Sequence, residues 1–258
     1  MNQAISTMGI LGGNGFLGAA LAKYFSECGF AVTVITKGNY REYQGKWFDV
    51  FINANGNSKK FWANQNPEAD YEASVISVKN SLDDFKFKKY VYISSSDVYP
   101  DHNTSEKTDE LEIIDAGRLE AYGLHKYQAE LLVKKLPSYI ILRLSAMVGP
   151  GLKKGVVKDI LEGSPLFTTL NSRLGFITTE EVGRCIAELL KRNISQEIYN
   201  CGGKGNLSMT ELGKLLGKGV VSRPDAMGQQ YEIDVDKLDA LIGLQTSEQY
   251  IKNFKETN

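Results

Sequence analysis

Short apolar, β-branched runs alternate with longer stretches of helical periodicity through the first 145 residues of the chain. Apolar runs of this length with few polar positions are typical of strands buried on both faces. The predicted strands are Met8–Leu11, Ala31–Thr36, Val50–Asn53, Tyr90–Ser94 and Tyr139–Leu144. The predicted helices between them are Phe16–Cys28, Glu68–Phe87 and Leu119–Leu136. This alternation predicts an α/β fold, a doubly wound parallel sheet of the Rossmann type.

The pattern loosens after residue 145, where Gly149-Pro150-Gly151 interrupts the chain. The elements predicted beyond it are a helix at Thr178–Lys191, a strand at Glu197–Cys201 and a helix at Ser208–Leu216. Ser208 and Glu211 have the spacing of a capping box at the start of the last helix. We therefore predict a dinucleotide-binding core over residues 1–150. Residues 151–258 are predicted to complete the sheet and to form a small C-terminal substrate-binding lobe, in one compact unit.

A glycine-rich segment, Gly12-Gly13-Asn14-Gly15-Phe16-Leu17-Gly18, joins the first predicted strand to the first predicted helix. In a G-x-x-G-x-x-G turn, one glycine turns tightly, one admits a diphosphate close to the backbone, and one packs helix against strand. The helix N-terminus then offers N–H groups and a positive dipole end to the phosphates. Glycines also serve purely structural turns. The position of this turn between strand and helix favours binding of a nicotinamide dinucleotide.

The tip of the second predicted strand bears on which dinucleotide binds. This position often carries an acidic residue that holds the ribose 2′-hydroxyl. Here Val34-Ile35 leads instead into Thr36-Lys37-Gly38. Lys37 can neutralise a 2′-phosphate and Thr36 can hydrogen-bond it, which predicts NADP. NAD stays the alternative, because a solvated lysine in a loop is common.

A hydroxyl-rich strand end and a tyrosine–lysine pair supply candidate chemistry. Ser95 and Ser96 follow the fourth predicted strand, and ligands of open parallel sheets bind at the carboxyl ends of strands. Tyr122 and Lys126 are four residues apart and share one helix face. A nearby ammonium lowers the pKa of a phenol, and a serine hydroxyl can hold a carbonyl oxygen beside it. Many helix surfaces carry such a pair by chance. Together with the strand and the glycine turn, however, it predicts a hydride-transfer site.

Composition narrows the classes of partner. The formal net charge of −1 gives no electrostatic reason to expect nucleic acid or an anionic membrane as a partner. No apolar run approaches the roughly 20 residues that span a bilayer, and Met1 to Gly13 does not resemble a secretory signal, so a cytoplasmic location is predicted. The three cysteines are scattered, which predicts buried or half-buried thiols and no metal site.

These motifs jointly resemble those of the extended short-chain dehydrogenases/reductases, the NAD-dependent epimerase/dehydratase family. The resemblance covers nearly the whole chain and is carried by Gly12–Gly18, Asn53–Gly56, the Ser95 region, Tyr122 with Lys126, Arg143–Ser145 leading to Gly149–Gly151, and Glu197–Gly203. It implies that Tyr122 is the acid/base, and that Lys126 binds the nicotinamide ribose and lowers the pKa of the phenol. It also implies Ser95 as the catalytic serine, with Ser96 as the alternative. Further cofactor contacts are implied at Asn53, Ala54, Asn55, Leu144 and Ser145.

A departure from the sequence pattern of the family narrows the expected reaction, and the substrates of the family suggest the substrate class. Sugar-nucleotide dehydratases of this family carry Asp-Glu after the catalytic threonine. Ser96-Asp97 stands there in this chain, so half of that acid–base pair is missing. The resemblance therefore favours an NADP-dependent reductase of a nucleotide-linked sugar, such as a 4-keto-6-deoxyhexose. An epimerase with tightly bound NAD is the close rival, and a non-catalytic NADP-sensing scaffold is the alternative of another class.

Three smaller expectations complete the sequence-based interpretation. Ser96 and Arg173 are candidates for substrate contact, with Arg173 placed to grip a diphosphate. His125 adjoins Lys126 and is expected to be an ordinary surface imidazole that faces away from Tyr122. A homodimer through the two long helices, Glu68–Phe87 and Leu119–Leu136, is implied by the resemblance alone.

Overall fold

The computed structural model describes residues 6–257. Residues 1–5, where the stretch that was compared with a secretory signal begins, lie outside the described residues. The strands are β1 (Thr7–Leu11), β2 (Ala31–Ile35), β3 (Trp47–Asn53), β4 (Lys86–Ser95), β5 (Tyr139–Leu144), β6 (Ala146–Val148), β7 (Leu166–Thr168), β8 (Arg173–Leu174), β9 (Phe176–Thr178), β10 (Glu197–Cys201), β11 (Leu207–Ser208) and β12 (Ser222–Met227). 

The helices are α1 (Phe16–Glu27), α2 (Tyr40–Tyr43), α3 (Lys60–Gln65), α4 (Pro67–Tyr71), α5 (Ser77–Asp84), α6 (Ala121–Val133), α7 (Val156–Glu162), α8 (Thr179–Lys191), α9 (Met209–Leu216), α10 (Asp236–Ile242) and α11 (Ser247–Thr257). A π-helical segment, Glu72–Ile76, joins α4 to α5. A 3₁₀ turn, Ser96–Val98, follows β4 directly. The capping box predicted for Ser208 and Glu211 is present at the start of α9.

The central sheet has six strands in the order β10-β5-β4-β3-β1-β2. β1 pairs in parallel with both β2 and β3, and β3 pairs in parallel with β4. The predicted parallel Rossmann-type sheet is confirmed. The chain reverses its direction of travel across the sheet next to β1. In sheets of this kind, ligands bind at the carboxyl edge beside that reversal.

The helix predicted over Glu68–Phe87 is wrong at its C-terminal end. α5 ends at Asp84, and Phe87 lies inside β4. The physical reason is the alternation of apolar Phe85 and Phe87 with lysines, a period of two that suits a strand. Phe85 belongs to the buried core cluster, and Phe87 packs against it.

The described residues divide into two compact units whose segments alternate along the chain. The first unit comprises the chain up to Pro100, Ile113–Arg143 and Gly183–Tyr199; the second comprises Asp101–Glu112, Leu144–Val182 and the chain from Asn200 onward. This division differs from a single boundary at residue 150. The first unit has an aromatic core that includes Phe48, Phe51, Phe85, Tyr90 and Tyr92. The core of the second unit is largely aliphatic, with Val148, Leu166, Phe176, Leu212 and Phe254 among its members.

The structure of residues 6–257 bears on the expectations about membrane spans, metal sites and cysteines. No helix in that range is long and apolar enough to cross a bilayer. The same range contains no group of three or more His, Cys, Asp or Glu side chains arranged to hold a metal ion. Cys185 and Cys201 are buried as predicted, whereas Cys28 is exposed because α1 ends there at the surface.

Candidate active site

The glycine turn between β1 and α1 is shaped by close backbone contacts. Gly12 has φ of +81°, a conformation that favours glycine, and a Cβ there would lie 2.9 Å from the Ala54 carbonyl oxygen. A Cβ on Gly18 would overlap the carbonyl oxygen of Gly12. The N–H of Gly15 donates to that same oxygen at 2.8 Å. The turn therefore has no room for side chains at two of its glycines.

The start of α1 fits a bound diphosphate. Gly15 precedes the helix and has no side chain with which to cap it, and the first turn carries no acidic residue. The first N–H groups of a helix have no partner within the helix, so those of Phe16 and Leu17 remain available to an anion. Asn14 and Gly15 are exposed at the tip of the turn. A dinucleotide diphosphate would be held here by backbone N–H groups.

The loop after β2 is organised by a residue that the sequence interpretation missed. The Asn39 side chain accepts from the Thr36 backbone N–H at 2.7 Å and from the Thr36 hydroxyl at 3.1 Å. Its amide nitrogen donates to the Val34 carbonyl at 3.1 Å. Lys37 is exposed at the tip. Asn39 lies four residues after the end of β2, and asparagine is a common turn residue because its side chain hydrogen-bonds nearby backbone, so this signal could have been found from the sequence.

Residues after β3 separate into buried and half-buried positions. Asn53 is fully buried, and its amide donates to Tyr90 Oη at 2.8 Å and to Ser81 Oγ at 3.2 Å. The side chain of Asn53 therefore lies in the core, and its predicted contact with the cofactor stays a prediction. Ala54 and Asn55 are half-buried, with the Ala54 N–H bound to the Leu11 carbonyl. Their predicted contacts with the cofactor stay predictions.

Ser95, Tyr122 and Lys126 come together in the first unit. Ser95 is the last residue of β4, and its hydroxyl caps the following 3₁₀ turn by accepting from the Asp97 N–H at 3.2 Å. The half-buried Tyr122 is in the first turn of α6 and hydrogen-bonds the Ser95 hydroxyl. Lys126 lies one turn further along α6, and its Nζ donates to the Ile93 carbonyl at 3.2 Å.

A second glycine contact fixes where α6 lies against the end of β4. A Cβ on Gly123 would overlap the Asp97 carbonyl oxygen. The helix backbone therefore touches the turn that follows Ser95, directly after Tyr122 in the sequence. This close approach brings the phenol to the serine hydroxyl, and only glycine permits it.

The pKa of Tyr122 is raised above its ordinary value. Burial is the largest cause, and the negative charge of Asp97 adds to it. The Ser95 hydrogen bond and the Lys60 ammonium act in the opposite direction. Lys60 is thus one ammonium that lowers this pKa, and the lowering by Lys126 that the resemblance implies stays a prediction. Tyr122 keeps its proton at neutral pH and can act as a proton donor.

Lys126 is a nearly buried ammonium with 5% of its surface exposed. Burial lowers its pKa to about 8, against the charges of Asp70 and Glu130, which raise it. Its Nζ lies 5.4 Å from the Tyr92 ring centroid, and a Cβ on Gly56 would lie 3.5 Å from it. Lys126 thus lies at the carboxyl edge of β3 and β4, where Gly56 leaves space beside it.

The chain matches the model of the NAD dependent epimerase/dehydratase family over residues 8–202. It belongs to the NAD-dependent epimerase/dehydratase family. The family assignment and the prediction of an NAD(P)-dependent enzyme are thereby confirmed. No curated protein matches this sequence.

Solved structures share the fold of this family member over nearly its whole length. RMD from Pseudomonas aeruginosa, complexed with NADPH, has a TM-score of 0.78 and 17% identity, with 97% of this chain and 98% of that chain covered. A UDP-galactose 4-epimerase has a TM-score of 0.80 and 20% identity, with 97% of both chains covered. dTDP-4-dehydrorhamnose reductase from Bacillus anthracis str. Ames, in complex with NADP, has a TM-score of 0.79 and 18% identity, with both chains fully covered. At these identities the likeness establishes the fold.

His125 of this family member is not a surface residue, which corrects the prediction. It is 6% exposed, and its Nδ1 lies 2.7 Å from Asp70 Oδ2. Asp70 is fully buried and also accepts from the Asn57 amide at 2.8 Å. Hydrogen bonds of this kind offset the cost of burying a carboxylate, and the histidine next to Lys126 supplies one of them.

The predicted substrate residues of the family member divide between the two units. Ser96 is buried in the 3₁₀ turn after Ser95 in the first unit. In the second unit, Arg173 donates from Nε to Asn206 Oδ1 at 2.6 Å, and its NH1 lies 3.3 Å from Glu211. Ser145 helps to line a cavity of about 230 Å³ in that unit. The substrate roles of Ser96 and Arg173 stay predictions, as do the nicotinamide contacts of Leu144 and Ser145.

Proposed function

We propose that the chain is an NADP-dependent reductase that acts on the keto group of a nucleotide-linked sugar, with a 4-keto-6-deoxyhexose as the candidate substrate. The observation that carries the proposal is the meeting of Ser95, Tyr122 and Lys126 beside the carboxyl ends of β3 and β4. The glycine turn lies at the carboxyl end of β1, next to β3 in the same sheet. A carbonyl held at this edge lies where a nicotinamide bound at the turn would reach.

Each residue of the set has a distinct task in the proposed reaction. The hydride for the carbonyl carbon would come from the reduced nicotinamide when it is bound. Negative charge then develops on the carbonyl oxygen, and Tyr122 donates its phenolic proton to that oxygen. The Ser95 hydroxyl holds the same oxygen by a hydrogen bond. Lys126, with an ammonium that burial has left with few partners, binds the nicotinamide ribose.

The choice of NADP depends on the loop after β2. Lys37 is exposed there beside Thr36, and the tip carries no acidic residue that would oppose a 2′-phosphate. Two of the similar structures were determined with NADPH or NADP bound, and both are consistent with this choice. The substrate class is supported by the names of similar structures, which include a dTDP-sugar reductase and UDP-sugar epimerases.

The proposal is tested by the phenol at position 122. With NADPH and a dTDP-linked 4-keto-6-deoxyhexose, we expect Tyr122→Phe to lower the rate of NADPH oxidation by about 10²–10⁴-fold, the usual contribution of general acid catalysis. Tyr127→Phe makes the same change on the same helix and serves as the control. The Tyr127 ring packs against a buried cluster of Val98, Tyr99 and Ile114. Equal rates for parent and Tyr122→Phe would contradict the proposed role.

The rivals predict different outcomes in the same preparation. An epimerase would purify with bound NAD and convert a UDP-sugar without net NADPH oxidation. A non-catalytic scaffold would keep its biological activity in Tyr122→Phe.

For the cofactor, fluorescence titration is expected to show tighter binding of NADPH than of NADH, with the difference reduced in Lys37→Ala. A preference for NADH would exclude this role of Lys37. The homodimer and the cytoplasmic location stay predictions.

A further inference from the structure

The short helix α3 connects two parts of the candidate active site. Lys60, at its first position, places Nζ 2.9 Å from Asp97 Oδ1 and 3.4 Å from Glu120 Oε2. Asn64 lies one turn later and donates to Glu120 Oε2 at 2.9 Å. The Asn64 side-chain oxygen accepts from the Tyr122 backbone N–H at 3.4 Å. One face of α3 thus holds both the turn after Ser95 and the first turn of the helix that carries Tyr122.

Asp97 is the negative charge nearest to the serine of the site. Its Oδ2 lies 3.2 Å from Ser95 Oγ, and its backbone N–H donates to the same hydroxyl. During carbonyl reduction, negative charge develops on the substrate oxygen that Ser95 and Tyr122 hold. A carboxylate beside that oxygen opposes the developing charge unless a cation offsets it. Lys60 contacts Asp97 and carries a positive charge that can offset it.

We propose that Lys60 is a positioning residue of the reaction, whose ammonium offsets the Asp97 carboxylate beside Ser95 and ties it to Glu120 at the start of the Tyr122 helix. The inference rests on the proposed function, because it adds a residue to the same site. It also gives a role to Asp97, which stands where the sugar-nucleotide dehydratases of the family carry an acid–base residue. In this chain that carboxylate is bound to Lys60 and Ser95.

The electrostatics of the phenol agree with this geometry. After burial, the charge of Asp97 is the next cause that raises the pKa of Tyr122, while Lys60 lowers it. The titratable groups that act on Tyr122 include Lys60 on α3, Asp70 on α4, Tyr92 on β4 and Asp97 in the turn after β4. Lys60 therefore acts on the same proton that the proposed reaction transfers.

The kinetic test compares charge removal with charge retention. We expect Lys60→Met to lower kcat for NADPH-dependent reduction of the dTDP-linked 4-keto-6-deoxyhexose on the order of tenfold, with little change in the KM for NADPH. Lys60→Arg keeps the cation and is expected to retain most of kcat. Removing the opposing carboxylate as well, in Lys60→Met/Asp97→Asn, should recover a large part of the loss. Lys59→Met changes the adjacent exposed lysine and is the control.

A measurement without substrate separates this inference from the proposed function. Amide hydrogen exchange over residues 120–124 is expected to be faster in Lys60→Met than in the parent, and to return towards the parent rate in Lys60→Arg. A parent that shows no turnover but this exchange pattern would contradict the proposed substrate and support the positioning role. A parent that turns over, with Lys60→Met equal to it in kcat and exchange, would overturn the role. So would a Lys60→Met/Asp97→Asn variant no faster than Lys60→Met.

Discussion

Two nearly buried cations in the first unit, Arg143 and Lys126, have very different surroundings. Arg143 is 1% exposed and donates to both carboxylate oxygens of Glu130, at 3.1 and 2.8 Å. Its remaining nitrogen, NH1, donates to Tyr99 Oη at 2.8 Å. Lys126 is 5% exposed, yet its Nζ donates to the carbonyl of Ile93 at 3.2 Å, and no carboxylate within residues 6–257 forms an ion pair with it.

The pKa values of the two groups diverge for this reason. Burial lowers the pKa of both cations, but for Arg143 the Glu130 charge and hydrogen bonds outweigh it and raise the pKa. For Lys126 the more distant charges of Asp70 and Glu130 do not compensate, and the pKa falls to about 8. A saturated buried cation maintains the fold, whereas an unsaturated one has donors left for a ligand. The contrast supports the proposed ligand-binding role of Lys126 and a structural role for Arg143.

Breaking the saturated pair should have the largest effect on stability. Glu130→Gln leaves the Arg143 guanidinium buried without its counter-charge, so we expect the free energy of unfolding to fall by about 3–5 kcal/mol. Urea denaturation at pH 7 measures this. Glu27→Gln removes one partner of the exposed pair with Lys23 and should change stability little. A loss below about 1 kcal/mol in Glu130→Gln would show that the pair does not stabilise the fold as argued.

Removing the unsaturated cation, Lys126, should change the free energy of unfolding in the opposite direction. A buried ammonium with a pKa of about 8 is mostly charged at pH 7 in the folded state and fully charged in the unfolded state, so the folded state bears most of the desolvation cost. We expect Lys126→Met to raise the free energy of unfolding at pH 7 by about 1–3 kcal/mol while activity is lost. Such a gain is the mark of a group retained for function.

The pH dependence of this gain has a defined direction. Between about pH 8 and the ordinary lysine pKa of 10.5, the folded parent releases its proton before the unfolded chain does. The unfolded state then binds more protons, so the stability of the parent rises with pH and the advantage of Lys126→Met shrinks. Urea midpoints from pH 7 to 10 follow this. Lys134→Met, at the exposed end of the same helix, should show no such trend. A constant advantage across this range would refute the cause.

Local patterns allowed the backbone of the site to be predicted from the sequence. The glycine turn depends on residues within one strand–turn–helix, and the spacing of Tyr122 and Lys126 fixes their shared helix face without reference to the rest of the chain. Both follow from geometry that a short segment contains in full.

Partners distant in the chain could not be predicted in this way. Glu130 and Arg143 lie on a helix and a strand, and Lys60 and Asp97 are 37 residues apart. His125 was expected at the surface because its neighbour Lys126 was expected to face the site, whereas buried Asp70 draws the imidazole inwards. Such pairs follow from tertiary packing, and each charged residue alone resembles an ordinary surface residue in the sequence.

The smallest expected effect is that of the Asp70 charge on the pKa of Lys126. Asp70 raises the pKa of Lys126 against the larger effect of burial. Asp70→Asn removes this charge and retains hydrogen-bonding groups for Asn57 and His125, so we expect the pKa of Lys126 to fall below about 8 by a fraction of a pH unit. The measurement is the pH at which the difference in free energy of unfolding between Lys126→Met and its parent begins to shrink. It is made once in the unchanged chain and once in a chain that also carries Asp70→Asn. Glu72→Gln, an exposed acid on the neighbouring π-helical segment, is the control. If Asp70→Asn leaves that pH where it was, the charge of Asp70 does not contribute to the pKa of Lys126. The contrast with Arg143 would then depend only on the position of Glu130.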